Sequence, residues 1–408
     1  MKFIFILFFS LCSFIYSDPK VQLGVDLFFQ EGRTRQLAGK RVGVITNHTG
    51  VNSRLSSTVD LLRLHAKDCE LAALFAPEHG LNGVAYAAEK VEDAIDKHGV
   101  SVFSLHGKTR RPTEDMLKGI DILIYDIQDI GCRSYTYATT LYYVMEEAAK
   151  RNIKVIVLDR PNPINGLIVD GPMLAEKWRS FIGYINVPYC HGMTIGELAL
   201  FFNGEYKVGC DLKIIPMRGW KREMSFKDTG LSWIPTSPYI PEADTPLFCA
   251  STGILGELNL VNIGGGYNLP FKVVGAPWIQ ADLFAEKLNA QKLSGVHFTP
   301  FYYRPFYGAY KGLECQGVLL VITNKSNYQP LSVQYLLLGM LKSLYPQQLM
   351  THLSQLDEVR LQLFCKANGT DEILNILKTE KYPAWRLIHY DQEERKKFIN
   401  IRAKYLIY

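Results

Sequence analysis

With 408 residues, 48% of them hydrophobic and a formal charge of +5, the chain is long enough for two packed cores. It lies outside the disordered, collagenous and small disulfide-stapled classes. Its 45 basic residues are scattered along the chain rather than gathered in a stripe, so no nucleic-acid partner is expected.

The opening residues have the layout of a signal peptide. Met1 and Lys2 give a short positive start, residues 3–15 are almost wholly apolar, and Ser17 precedes Asp18. Residues 1–17 are therefore expected to be removed on export, giving a periplasmic or secreted protein with no membrane insertion afterwards; the apolar run is short for a membrane span. Beyond the leader stand Cys69, Cys132, Cys190, Cys210, Cys249, Cys315 and Cys365. Their wide spacing, with no C-x-x-C, argues against a zinc ribbon and for buried thiols.

From residue 41 short apolar runs alternate with amphipathic ones. Residues 41–46 (RVGVIT), 70–75 (ELAALF), 102–105, 120–126 (IDILIYD) and 154–159 (KVIVLD) read as strands. Residues 56–65 and 138–151 read as helices. Apolar strands alternating with helices imply a parallel sheet covered on both faces. Residues 18–245 are assigned to a Rossmann-like, doubly wound α/β domain, with 206–245 read as an irregular excursion. Residues 246–408 form a smaller mixed α+β C-terminal domain: 317–323 (GVLLVIT) reads as a strand, 333–344 and 370–378 as helices, and 404–408 as a tail packing at a domain edge.

Ligands of open parallel sheets sit beyond the carboxyl ends of the strands. Four turns there are polar: Thr46-Asn47-His48-Thr49-Gly50, Ala76-Pro77-Glu78-His79-Gly80, Asp126-Ile127-Gln128-Asp129 leading to Arg133 and Tyr135, and Asp159-Arg160-Pro161-Asn162. On one rim they would gather Glu78, Asp126, Asp129 and Asp159 with His48, His79, Arg133 and Arg160. Glycoside cleavage needs an acid to protonate the leaving oxygen and a carboxylate that attacks or activates water. Glu78, between Pro77 and His79 and near other carboxylates, suits the acid; Asp126 or Asp129 suits the second role. The competing reading is that strand-end Asp residues cap helices and bind backbone amides. Asn47, His79, Arg133, Tyr135, Arg160 and Asn162 are candidate sugar-binding groups. His48, His79 and Asp126 lack metal-ligand spacing, and Gly264 to Gly266 fits neither nucleotide-binding glycine pattern. No G-x-S-x-G elbow occurs. No metal and no cofactor are expected.

Long stretches then carry a resemblance. They are GKRVGVITN from Gly39, Phe75 to Gly80, YDIQDIGCRSYTY from Tyr125, LDRPNPING from Leu158, HGMTIGEL from His191, Gly275-Ala276-Pro277-Trp278 and Tyr310-Lys311-Gly312. In these the chain resembles the NamZ family of exo-β-N-acetylmuramidases, formerly a domain of unknown function. The resemblance implies an active site in the cleft between the two domains, and release of N-acetylmuramic acid from non-reducing ends of peptidoglycan fragments. It places the family's catalytic glutamate at Glu78. It adds His191 to the sugar-binding set, and Lys311, with Arg133 and Arg160, as candidate partners of the lactyl carboxylate. A peptidoglycan-derived saccharide is thus the expected partner, either as the substrate of a hydrolase or as the ligand of a non-catalytic muropeptide-binding protein. Three positions depart from the family pattern: Ala88 in place of Gly, Cys190 in place of Arg, and Gly264-Gly265-Gly266-Tyr267 in place of Gly-Arg-Gly-Thr.

Overall fold

The computed structural model describes residues 19–30, 32–65 and 69–408; the leader expected at residues 1–17 lies outside them. The first domain is built on seven strands: β1 (Lys40–Thr46), β2 (Cys69–Ala76), β3 (Ala94–Ile95), β4 (Ser101–Ser104), β5 (Ile122–Asp126), β6 (Lys154–Leu158) and β7 (Leu212–Ile215). Their order is β3-β4-β2-β1-β5-β6-β7, and only the two-residue β3 runs antiparallel to its neighbour. Side chains alternate between two cores, as the period of two in a strand requires. Val42, Val44, Ile122, Ile124 and Ile156 pack with α1 (Gly24–Gln30) and α2 (Thr58–Leu64). Ile45, Leu123, Tyr125, Val155 and Val157 pack on the opposite face with the short α3 (Glu114–Leu117), α4 (Thr136–Ala149) and α5 (Ile195–Glu205). Burial on both faces is why these strands read as unbroken apolar runs.

The excursion read over 206–245 is not wholly irregular. It holds β7, a four-residue strand at the sheet edge that pairs with β6. So short a run, interrupted by Lys213, carries little pattern.

The C-terminal domain opens with α6 (Thr245–Glu257). An antiparallel sheet follows, made of β8 (Val273–Ala276), β9 (Val296–Tyr303) and β10 (Cys315–Ile322) in the order β8-β10-β9, with α7 (Ala281–Asn289) inserted between β8 and β9. Pro300 lies in β9, where an edge strand tolerates the missing N–H. Then come α8 (Pro330–Leu344), buried along almost its whole length, and α9 (Pro346–Gln355), α10 (Glu358–Asn368), α11 (Glu372–Thr379), α12 (Ala384–His389) and α13 (Gln392–Arg402). The core around α8 also takes in Ile130, Ile164, Ile168 and Tyr189 of the first domain, so the two domains share a packed interface.

The chain end returns to the first domain. Phe398 of α13 is buried among the helices behind the sheet, and Tyr408 donates to Asp159 Oδ2 at 2.7 Å. None of the described helices is long and apolar enough to cross a membrane.

Candidate active site

The sheet order puts the turns after β2, β1, β5 and β6 side by side on one rim. The strand order reverses between β1 and β5, where an open sheet normally leaves a ligand crevice. Here the protein fills that crevice itself. A Cβ on Gly50 would meet Thr46 Oγ1 at 2.1 Å and the Asp126 carbonyl at 2.9 Å. Asp126 is fully buried and held by Arg160 through Nε at 2.6 Å and Nη2 at 2.9 Å, with the Thr58 hydroxyl as a further donor. Arg160 spends its remaining contact on the Val51 carbonyl. Both were expected to face the sugar. The structure makes them an ion pair that closes the crevice, because each is the other's neutralising partner at zero or near-zero exposure.

The accessible chemistry sits one strand over, after β2. Glu78 is 9% exposed. His79 follows in the left-handed region with φ 71°, which turns the chain sharply. Glu78 Oε2 accepts from the Thr136 hydroxyl at 2.6 Å, in the first turn of α4. Oε1 accepts from the Ala88 backbone N–H at 2.8 Å. His106, in the turn after β4, brings Nε2 to 3.8 Å from Oε1. This residue is not singled out by any sequence motif; its position at the carboxyl end of the strand beside β2 is the signal that could have marked it. Its Nδ1 is buried without a partner. Burial pushes its pKa down, against the pull of Glu78, so it is neutral at pH 7.

Asn47 and His79 line a cavity of about 730 Å³, together with Gly80, Leu81 and Val91. His79 Nδ1 is paired with the Ala85 carbonyl at 2.7 Å, and Asn47 Oδ1 accepts from Thr49 N while its Nδ2 has no partner. Tyr135 donates to Thr236 Oγ1 and Tyr137 to the Thr236 carbonyl, fixing the 236–239 segment over the start of α4. Tyr239 in turn shares a hydroxyl contact with Tyr307 of the C-terminal domain.

Other expected site residues are drawn into the protein. Arg133 donates to the carbonyls of Pro172, Val187 and Ala367, tying the first domain to α10. Burial lowers its pKa to about 10, and its guanidinium is no longer offered to a carboxylate. Asn162 bonds the Met193 carbonyl and the Ile164 N–H. His191 is buried, with its pKa pushed down to about 3 by desolvation. Lys311 lies exposed in the turn after Gly308, in the C-terminal domain. Among the described residues no group of three or more His, Cys, Asp or Glu side chains converges as a metal site would.

Asp129 accepts from Gly131 N at 2.7 Å, but its Oδ2 is buried without a partner, and desolvation raises its pKa to about 7. A carboxyl that holds its proton in the fold but loses it near pH 4 when unfolded stabilises the protein fully only in acid. That contribution disappears as pH rises from about 4 to about 7, at up to about 1.4 kcal/mol per unit. Asp129→Asn, which cannot ionise, is therefore expected to gain on the wild type across that window. Urea unfolding at pH 4, 5.5 and 7 measures the difference; a constant difference would show that Asp129 titrates normally.

Comparison with known proteins is decisive at this point. A family profile described as "Exo-beta-N-acetylmuramidase NamZ, N-terminal" matches residues 42–244, and its C-terminal counterpart matches residues 247–408. The chain belongs to the NamZ family. A curated relative, the peptidoglycan β-N-acetylmuramidase NamZ of Bacillus subtilis (strain 168), is 39% identical over 391 residues, covering 96% of this chain and 92% of the relative. Two crystal structures of DUF1343 family proteins from Bacteroides fragilis are also similar. One has a TM-score of 0.88 at 39% identity, the other 0.68 at 28%; each match covers 95% of this chain and 99% of the other.

The three positions expected to depart from the family pattern now have places. Ala88 adopts φ 64°, where glycine is at ease, and still delivers its N–H to Glu78. Cys190 is buried and sits opposite Cys132 in an antiparallel bridge. In the 264–267 loop, Gly266 must stay glycine, because a Cβ would meet the Tyr307 carbonyl at 2.3 Å, whereas a side chain at Gly265 would point into open space.

Proposed function

We propose that the protein is an exported exo-acting glycoside hydrolase that releases N-acetylmuramic acid from non-reducing ends of peptidoglycan fragments, with Glu78 as its general acid. The observation that carries the role of Glu78 is the setting of its carboxyl. It is almost buried, fixed from two sides by Thr136 and the Ala88 N–H, and has a neutral histidine at 3.8 Å. A carboxyl so oriented can deliver a proton to a glycosidic oxygen, and His106 offers a neighbouring group through which the proton can be exchanged. Asp126 is paired with Arg160, and Asp129 is buried at 7% exposure. Family membership and the B. subtilis relative support the substrate class. The leader-like layout of residues 1–17 supports export.

The test is hydrolysis of a panel of chromogenic glycosides, with peptidoglycan fragments alongside. Release of free N-acetylmuramic acid from the muramide and from fragment ends, without internal cleavage, is the expected result. Tight muropeptide binding with no product would instead describe a non-catalytic binding protein.

A further inference from the structure

The substrate class proposed above carries a negative charge, on the lactyl group of the muramyl ring, and two of the three cations first assigned to it are committed elsewhere. Arg160 is paired with Asp126, and Arg133 is held by three carbonyls. The turn after β4 supplies another. It reads Leu105-His106-Gly107-Lys108-Thr109-Arg110-Arg111. Its two arginines have opposite fates. Arg111 is bound to Glu146 and to the Tyr184 hydroxyl and lies over the Tyr143 ring. Arg110 is solvent-exposed, makes no ion pair among the described residues, and has its guanidinium carbon 4.2 Å from the centre of the Phe181 ring.

Phe181 is also the ring against which His106 packs, at 5.7 Å between centroids, and His106 is the residue 3.8 Å from Glu78. Arg110 is thus linked to the acid through Phe181 and His106, and Nδ1 of that histidine is buried without a partner among the described residues. A guanidinium held over an aromatic ring still offers its planar fork of N–H donors, which needs less ordering than a flexible ammonium when it takes a carboxylate.

We propose that Arg110 is the specificity residue that binds the carboxylate of the acidic sugar held next to Glu78. This rests on the reading of the protein as a muramidase. Arg110 supplies the charge-assisted, two-pronged contact that a neutral N-acetylglucosamine residue cannot use. It touches the lactyl group and not the bond being cleaved, so its loss weakens binding and leaves the chemical step largely intact.

The experiment compares wild type, Arg110→Ala, Arg110→Lys and, as the competing candidate for the carboxylate, Lys311→Ala. Calorimetry with N-acetylmuramic acid and with N-acetylglucosamine is paired with kinetics on a chromogenic N-acetylmuramide. For Arg110→Ala the expected result is a rise of about 10- to 100-fold in KM and in Kd for the acidic sugar, with kcat within a few-fold and no change for the neutral sugar. Arg110→Lys recovers part of the preference, and Lys311→Ala keeps it. Unchanged acidic-to-neutral preference in Arg110→Ala overturns the proposal, as does a fall in kcat at constant KM, or collapse of the preference in Lys311→Ala alone. A wild type that prefers the acidic sugar but turns over no muramide defeats the hydrolase reading while leaving the role of Arg110 supported. A wild type with no preference defeats Arg110.

Discussion

Glu78→Gln is expected to lower kcat on a muramyl disaccharide by about 10²–10⁴-fold, or about 3–5 kcal/mol of transition-state stabilisation. The fold should survive. The amide oxygen can still accept from the Ala88 N–H, and the Thr136 hydroxyl can rotate to accept from the new amide N–H, so neither neighbour is left unpaired. The size of the loss should depend on the leaving group. A sugar alkoxide needs its proton as the bond breaks, whereas an aryl group with an acidic phenol leaves with little help. The variant should therefore keep a much larger share of its activity on a chromogenic aryl muramide than on the disaccharide. Equal losses on both would mean that Glu78 acts as a nucleophile or orients the sugar. Undiminished turnover would remove it from the mechanism.

Much of this site could be read from the sequence, and the part that could not has a common cause. The strands β1, β2, β5 and β6 were legible because burial on both faces leaves a continuous apolar run, and a parallel arrangement puts the turns that follow them on one rim. That reasoning locates backbone. It does not say which way a side chain points or who meets it. Asp126 and Arg160 are 34 residues apart, and their mutual pairing, with Thr58 of α2 completing it, depends on three elements converging. Arg133 is claimed by carbonyls from residues 172, 187 and 367, spread over both domains. His106 and Arg110 went unmarked for the opposite reason. They follow a four-residue strand, stand in no motif, and gain their meaning from Glu78 and Phe181 across space. The edge strands β7 and β9 hid behind brevity and behind Pro300.

The pairing of Asp126 with Arg160 leads to an expectation opposite in kind to that for Glu78. Asp126→Ala should destabilise the protein by about 3–5 kcal/mol, because it leaves a buried guanidinium with the Val51 carbonyl as its remaining partner. That is a large fraction of the stability of a typical domain, so the variant should unfold at much lower urea and accumulate poorly. The penalty comes from the orphaned charge rather than from the lost bond. Removing both charges, as Asp126→Ala with Arg160→Met, should therefore restore part of the loss, which a simple sum of two deletions would not. Molecules of the single variant that remain folded should turn over substrate at near the wild-type rate, since the pair closes the crevice between β1 and β5 while Glu78 works from the end of β2. Urea midpoints for the single and double variants, with activity normalised to folded protein, separate the two roles. A variant of full stability and no turnover would return Asp126 to the catalytic set and make it the second carboxylate.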